Sequence, residues 1–276
     1  VKRKAGQQKR TQEENKDMMP LQTLTANVFK RGLKDGKKQP GLWLTLESPT
    51  STEIVAGSGY DWLLLDMEHT TVDASQVAEH IRAAKGGTAE LAVRIPHNEP
   101  IMVKRLLDAG IRTLMFPFVQ SADEARAAVA ATRYPPQGIR GVSGNMRANG
   151  FSRIKDYGET YHTEQCLIVQ LESPKALAAI EEIGAIDGID AMFIGPNDLA
   201  ANMGLFGQPG APEVKAAIVE AVARIKKTGK AAGMLNFNVA EARALFKAGC
   251  DFVAVGSDTS ILARRSEAIL AEVKAG

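Results

Sequence analysis

A (β/α)8 barrel is the fold class that this sequence predicts, and three observations carry the prediction. Short continuous apolar runs alternate with stretches of helical spacing, the pattern of a parallel sheet covered by helices. The alternation repeats eight times, which favours closure into a barrel over an open doubly wound sheet. An open sheet would also place a glycine-rich phosphate loop after the first strand, where Gly41-Leu-Trp-Leu-Thr-Leu-Glu-Ser-Pro49 stands instead. With 276 residues, 45% hydrophobic and 24% charged, the chain has the size and the apolar content for one such domain.

Residues 1–20 precede the rhythm. They hold six Lys/Arg against three acidic residues, a net +3, so the remainder carries −1 of the whole-chain +2. Polar and without aromatics, this stretch is expected to be a disordered basic tail. A true start at Met18-Met19 is one account of it, and an RNA- or partner-binding arm is another. The remaining domain, residues 21–276, shows no basic stripe of the kind that nucleic-acid binding requires.

From Leu21 onward the elements follow in order. Leu21, Leu24, Val28, Phe29 and Leu33 have helical spacing, and Gly36 ends the N-terminal helix they predict. The apolar run 41–45 reads as a first strand, with Thr50 and Glu53 as a capping box for the helix that follows. Trp62–Asp66 precedes a helix over about 74–85, stopped by Gly86-Gly87. Leu91–Arg94 precedes a cap at Asn98-Glu-Pro100 and a helix ending at Gly110. Thr113–Phe116 precedes a box at Ser121 and Glu124. Leu167–Glu172 precedes Ser173-Pro174, a cap followed by proline. Ala191–Ile194 precedes Gly195-Pro196-Asn197-Asp198, Ala231–Leu235 precedes a box at Asn238 and Glu241, and Phe252–Val255 precedes a long last helix. Residues 133–165 break the rhythm, and their place after the fourth strand suggests a cover over the barrel mouth or a plain surface excursion.

Cys166 and Cys250 lie in no CxxC pair, read as small core residues, and suit a reducing compartment. No apolar run approaches the ~18–20 residues of a membrane span, and residues 1–20 lack the apolar middle of a signal peptide. A cytoplasmic protein that uses neither membrane nor nucleic acid is expected.

Barrels of this kind carry their chemistry at the C-terminal ends of the strands, and ionisable residues gather there. Gln170 and Glu172 are two apart in a strand and share a face. Asp198 closes the next strand, so neighbouring strand ends offer two carboxylates, the few that Mg²⁺ or Mn²⁺ wants while keeping waters for a substrate to displace. A structural alternative has Asp198 capping a helix and Glu172 paired with a lysine. His69 follows Asp66, which can orient an imidazole and fix its tautomer, and Glu68 would join the set through a water. Arg94 ends its strand as a donor to an enolate or carboxylate oxygen, or as half of a structural ion pair with Asp66 or Glu68. Asn197 and Asp198 offer free N–H groups at a helix start to an anion. Trp43 lines the mouth or packs in the core. His80, within a helical pattern, is expected at the surface.

Six stretches carry a resemblance to a known family: GLWLTL at 41–46, GYDWLLLDMEH at 59–69, TRYPPQGIRGV at 132–142, VQLES at 169–173, FIGPNDLAANMG at 193–204 and FVAVGSDTSIL at 252–262. In this order they resemble the HpcH/HpaI aldolases, metal-dependent class II pyruvate aldolases, over roughly residues 21–272. The resemblance implies reversible cleavage of a 4-hydroxy-2-oxo acid, such as 4-hydroxy-2-oxoheptanedioate, to pyruvate and an aldehyde through a pyruvate enolate, in the breakdown of aromatic compounds. It implies Mg²⁺, Mn²⁺ or Co²⁺ on Glu172 and Asp198, pyruvate held near Asn197 and Asp198, and Arg94 on the enolate oxygen. It further implies proton transfer at His69 oriented by Asp66, and Gln170 supporting the metal shell. Relatives form hexamers, trimers of dimers, with the last helix exchanged between partners, so an extended, partner-swapped C-terminal helix is expected. Met67 and residues 144–152 depart from the family pattern, and both are expected on the aldehyde side of the site. Kept beside this reading are 2-dehydro-3-deoxyglucarate cleavage, a citrate- or malyl-CoA-lyase-like activity (without a visible basic channel for CoA), oxaloacetate decarboxylation, and a non-catalytic barrel scaffold.

Overall fold

The structure, a computed structural model, describes residues 23–275; the expected tail of residues 1–20 lies outside them. Eight parallel strands close a barrel in chain order: β1 (Gln39–Leu44), β2 (Trp62–Asp66), β3 (Glu90–Arg94), β4 (Thr113–Phe116), β5 (Cys166–Leu171), β6 (Ala191–Ile194), β7 (Ala231–Leu235) and β8 (Phe252–Ser257), with β8 paired to β1. Before β1 stands α1 (Val28–Lys34). The outer helices are α2 (Pro49–Ala56), α3 (Ala74–Ala84), α4 (Pro100–Ala109) and α5 (Ala122–Thr132), then, after a short α6 (Tyr157–Thr160), α7 (Pro174–Ala178), α8 (Ile180–Gly184), α9 (Pro196–Asn202), α10 (Pro212–Lys227), α11 (Val239–Ala248) and α12 (Asp258–Ala275).

The period of two in each strand builds two layers. Leu64, Ala92, Met115, Ile168 and Phe193 fill the barrel interior, while their neighbours Leu63, Val93, Leu114, Val169 and Ile194 pack under the helices. Rings fit inside because glycines face them. Gly41 is the register partner of Trp62 and Gly233 that of Phe252, and a Cβ at either glycine would stand 2.2 Å from the ring opposite. The strand N-terminal end is plugged by α1, whose Phe29 meets Phe252 edge-on at 5.3 Å while Lys30 pairs with Asp190 at 3.0 Å.

Several helix starts differ from expectation because a neighbouring side chain supplies the cap. α1 begins at Val28, where Asn27 accepts from Lys30 N at 2.9 Å, and Leu24 packs instead against the Met146, Tyr157 and Tyr161 cluster. Ser48, not Thr50, caps α2. Glu99, not Asn98, caps α4 by accepting from Ile101 N and Met102 N, both at 2.8 Å. Ser121 and Asn238 cap as expected, but the Glu124 and Glu241 carboxylates turn to Gln120 N and Asn236. A reciprocal box forms at Asp73 and Gln76. His80 is a core residue rather than a surface one, 1% exposed, with Nδ1 2.7 Å from Thr52 Oγ1.

The reading of residues 133–165 as a cover over the barrel mouth is corrected. The segment leaves the C-terminal end of α5 and feeds the start of β5, so it must return to the end where strands begin. There Arg140 pairs with Asp108 at 2.7 Å, Arg147 donates to Ala109 O at 2.9 Å, and Glu164 accepts from Asn27 N at 2.6 Å. The same path moves residues 144–152 away from the aldehyde side of this chain's own site. Cys166 and Cys250 are buried, as expected, and burial pushes the Cys250 thiol up to about 12. Among the described residues no helix is long and apolar enough to cross a membrane.

Candidate active site

The inward series of three strands end in polar groups, and this places the site. Leu64 leads to Asp66, Ala92 to Arg94, and Ile168 to Gln170 and then Glu172, each two residues further toward the mouth. Asp66 and Arg94 are register partners on β2 and β3. Their side chains form a fork-to-fork pair, Arg94 Nε to Asp66 Oδ1 at 3.0 Å and Nη2 to Oδ2 at 2.6 Å. The Trp43 indole N–H also donates to Asp66 Oδ2, at 3.1 Å, and its ring lies 5.1 Å from the guanidinium carbon. Trp43 is 5% exposed. It therefore forms the floor beneath Arg94, not an open wall of the mouth.

Asp66 does not orient the His69 imidazole, which corrects the expectation. Its oxygens already take Arg94, Trp43 and the backbone N–H groups of Glu68 (3.0 Å) and His69 (3.4 Å). The carboxylate beside the imidazole is that of Glu68, with Oε2 3.8 Å from His69 Nε2. That is beyond hydrogen-bond length and within charge contact. Arg94 Nη1 stands 2.9 Å from the same Glu68 oxygen, off the hydrogen-bonding direction, so this buried oxygen has no donor.

Glu172 closes the other side. It is 3% exposed, accepts from Gln170 Nε2 at 2.6 Å and from Phe118 N at 3.1 Å, and among the described residues pairs with no lysine. Asp198 sits exposed in the first turn of α9, whose start carries no side-chain cap, so the capping alternative also falls away. The first N–H of that turn to find a helical partner is Leu199, bonded to Gly195 O at 3.0 Å, while Pro196 has none to offer. This leaves the N–H groups of Asn197 and Asp198 toward the mouth.

The electrostatics record an excess of negative charge. Burial works to raise the Asp66 carboxyl, but the Arg94 bonds and charge, with Trp43 and Glu68 N–H, hold it below the usual range. Burial raises Glu68, with Asp66 and Asp198 adding to it against Arg94 and His69. Glu172 is pushed up to about 8, first by burial and then by Asp198 and Glu68, with Arg94 and Phe118 N–H opposing. One guanidinium thus faces four carboxylates, and Asp66 occupies most of it. Among the described residues no three His, Cys, Asp or Glu side chains already converge as a ligand set. The donors fit a divalent ion all the same. Two carboxylates on adjacent strand ends are what a hard cation takes when waters and a chelating substrate complete its shell, and the Gln170 Oε1 and Glu68 Oε2 acceptors lie buried without partners. A cation would relieve both the repulsion and the orphaned acceptors.

Three contributors escaped the sequence reading because they act through the backbone or through a missing atom. Phe118, at φ 51, turns its N–H onto Glu172. Asn202 donates to Glu172 O at 3.0 Å. Gly195 makes room for the carboxylate, since a Cβ there would stand 2.3 Å from Glu172 Oε1. Only the glycine left a mark that could have been read, as the residue beside the second carboxylate.

The chain is similar to known proteins along most of its length. The family model described as HpcH/HpaI aldolase/citrate lyase matches residues 39–264. A pyruvate aldolase from Rhizobium etli is 46% identical over 248 residues, 90% of this chain and 98% of that protein. A 4-hydroxy-2-oxo-heptane-1,7-dioate aldolase from Salmonella dublin is 47% identical over 246 residues, 89% of this chain and 94% of that protein. The crystal structure of an HpcH/HpaI aldolase/citrate lyase family protein from Burkholderia cenocepacia superposes with a TM-score of 0.88 at 41% identity, covering 90% of this chain and all of the other.

Proposed function

Since the chain belongs to the HpcH/HpaI aldolase family and is a carbon–carbon lyase, we propose that it cleaves a 4-hydroxy-2-oxo acid reversibly to pyruvate and an aldehyde at the β2, β3, β5 and β6 strand ends. Succinic semialdehyde, the aldehyde released from 4-hydroxy-2-oxoheptanedioate, is the proposed partner product. The observation that carries this reading is the crowding of Glu68, Glu172 and Asp198 around a single, largely committed guanidinium, which leaves Glu172 at about 8.

Glu172 and Asp198 would hold a divalent cation, Mg²⁺, Mn²⁺ or Co²⁺, with Gln170 fixing one Glu172 oxygen and Phe118 N–H the other. Such an ion supplies Lewis-acid polarisation of the 2-oxo group. The chain's own residues do the rest. The open N–H groups of Asn197 and Asp198 receive the substrate carboxylate. Arg94, locked in one orientation by Asp66 and Trp43, faces the negative charge that gathers on the 2-oxo oxygen as the C3–C4 bond breaks. His69 takes the proton from the C4 hydroxyl, and Glu68 beside it stabilises the imidazolium that results. Reprotonation at C3 gives pyruvate, and the reverse sequence makes the bond.

α12 supports a place for a partner. Asp258 at its root is buried and holds Thr45 N at 2.8 Å, but Leu262, Leu270 and Val273 further along are 54–73% exposed. We read this face as the one exchanged between subunits of a hexamer built as a trimer of dimers. Two free buried cysteines suit a reducing, cytoplasmic setting. The deciding assay follows exchange of pyruvate methyl protons and condensation of pyruvate with succinic semialdehyde, with added cation and with chelator. Full activity in chelator would refute the cation; no exchange under any condition would refute the aldolase site.

A further inference from the structure

A second cavity opens at the opposite end of the barrel, where β3, β4 and β5 begin, and nothing in the aldol chemistry uses it. Its volume is about 1030 Å³, at the upper end of the range that small-molecule sites occupy. Leu91, Ile111 and Ile154 give it apolar walls, and Lys85, Arg147 and Arg153 face it with positive charge. The acid in its lining is Glu90, which Arg112 neutralises at 2.7 Å. Among the described residues the other two guanidinium groups bond to backbone carbonyls rather than to carboxylates. Arg147 donates to Ala109 O and Arg153 to Gly150 O, each at 2.9 Å. Arg147 is held in place by close packing as well, since a Cβ at Gly110 would stand 2.9 Å from its Nη1. Burial, and then the charge of Arg82, push its pKa down. A cleft lined by one sign of charge focuses its field and concentrates ligands of the opposite sign.

The rim has a feature of its own. Gly150, Phe151 and Ser152 run consecutively through the left-handed region at φ 63, 57 and 68, a conformation that side-chain-bearing residues rarely adopt. Asn149 Oδ1 keeps them there by accepting from Met146 N and from Ser152 N. The result is an aromatic ring at the cavity edge, Phe151, left 58% exposed. Its plane is available to stack on a flat group.

We propose that this cavity binds a phosphorylated ligand with a flat aromatic body, the class of the nucleoside diphosphates, with the phosphates on Lys85, Arg147 and Arg153 and the base against Phe151. Arg147 supplies the inner, pre-positioned contact, and the two exposed cations complete the charge match. The site is remote from Glu172 and Asp198, so its occupancy is independent of the catalytic reading.

The test is calorimetric titration of the full chain with ADP, pyrophosphate and adenosine. ADP is expected to saturate at one per chain and to bind more tightly than either fragment. Lys85→Gln and Arg153→Gln, both at exposed positions, should each weaken ADP about tenfold, the loss of one charge-assisted hydrogen bond. Phe151→Ala should weaken ADP and adenosine and leave pyrophosphate unchanged. Glu172→Gln should leave ADP binding unaltered, which separates this site from the catalytic mouth. Absence of saturable ADP binding at millimolar concentration would overturn the proposal. So would binding that survives the Lys85 and Arg153 substitutions, or binding that disappears in Glu172→Gln. Pyrophosphate binding as tightly as ADP would overturn it too, since the flat body would then contribute nothing.

Discussion

Replacing Arg94 with lysine separates what the guanidinium charge does from what its shape does. Two of its nitrogens are bonded, Nε and Nη2 to Asp66, while Nη1 lies in charge contact with Glu68 without a hydrogen bond. A lysine ammonium keeps the charge on a flexible stem and reaches one carboxylate at a time. The variant therefore keeps a cation between Asp66 and Glu68 but loses the paired bonds that hold it in one orientation. Alanine would be a poorer probe, because it leaves buried Asp66 without its countercharge, a cost of about 3–5 kcal/mol. For lysine the cost is that of about one charged hydrogen bond, roughly 1.5–3 kcal/mol. In a domain of this size that is a fall in Tm of roughly 4–10 °C, and the barrel survives it.

The rate should fall much further. If Arg94 faces the oxyanion, misplacing that donor costs about 10²–10³ in turnover. The assay is methyl-proton exchange of pyruvate in D₂O with added Mg²⁺, followed by proton NMR, with circular dichroism melting of the same sample. Exchange should drop by the stated factor while the KM for pyruvate changes little, since carboxylate binding rests on Asn197 and Asp198. A folded Arg94→Lys protein that exchanges at the parent rate would refute the oxyanion role and leave Arg94 as a structural partner of Asp66.

Glu172→Gln should abolish cation-dependent turnover and, in chelator, raise stability. The sign follows from the raised carboxyl. Below the ordinary value of 4.5 both folded and unfolded chains hold the proton, and between there and about 8 the unfolded chain releases it first, so stability is lost as pH rises through that window. In chelator at pH 8 the variant should melt above the parent; an equal or lower Tm would contradict the crowding of carboxylates. Gly195→Ala places a Cβ 2.3 Å from Glu172 Oε1 and should cost about 10–100-fold in cation affinity or activity. Parent-like cation titration would show that Glu172 has room to move. Leu262→Glu with Leu270→Glu, on the exposed apolar face of α12, should reduce the assembly seen by light scattering without lowering helical content. An unchanged mass would place the subunit contact elsewhere.

Much of this site was legible because polarity appears where the strand pattern demands apolar residues. Asp66, Arg94, Gln170 and Glu172 each continue an inward-facing series of period two, so composition at the strand ends marked them before any coordinates. Their partnerships were not legible in the same way. Asp66 had an imidazole, a guanidinium and an indole within sequence reach, and the choice was made by the β2–β3 register, which sets it opposite Arg94, and by the β1–β2 register, which brings Trp43 alongside Leu64. Backbone donors such as Phe118 N–H carry no side-chain signature at all. Residues 133–165 were misplaced for a different reason, since their composition says loop but only chain direction says which end of the barrel. A connection from helix to strand ends where strands begin, so the Arg140 and Arg147 guanidiniums lie at the opposite end of the barrel from Arg94, and each is held by the last turn of α4, through Asp108 and Ala109 O. Both ends of the barrel thus collect ionisable side chains for one physical reason: the apolar filling of the strands stops there, and charged groups find partners at its edge.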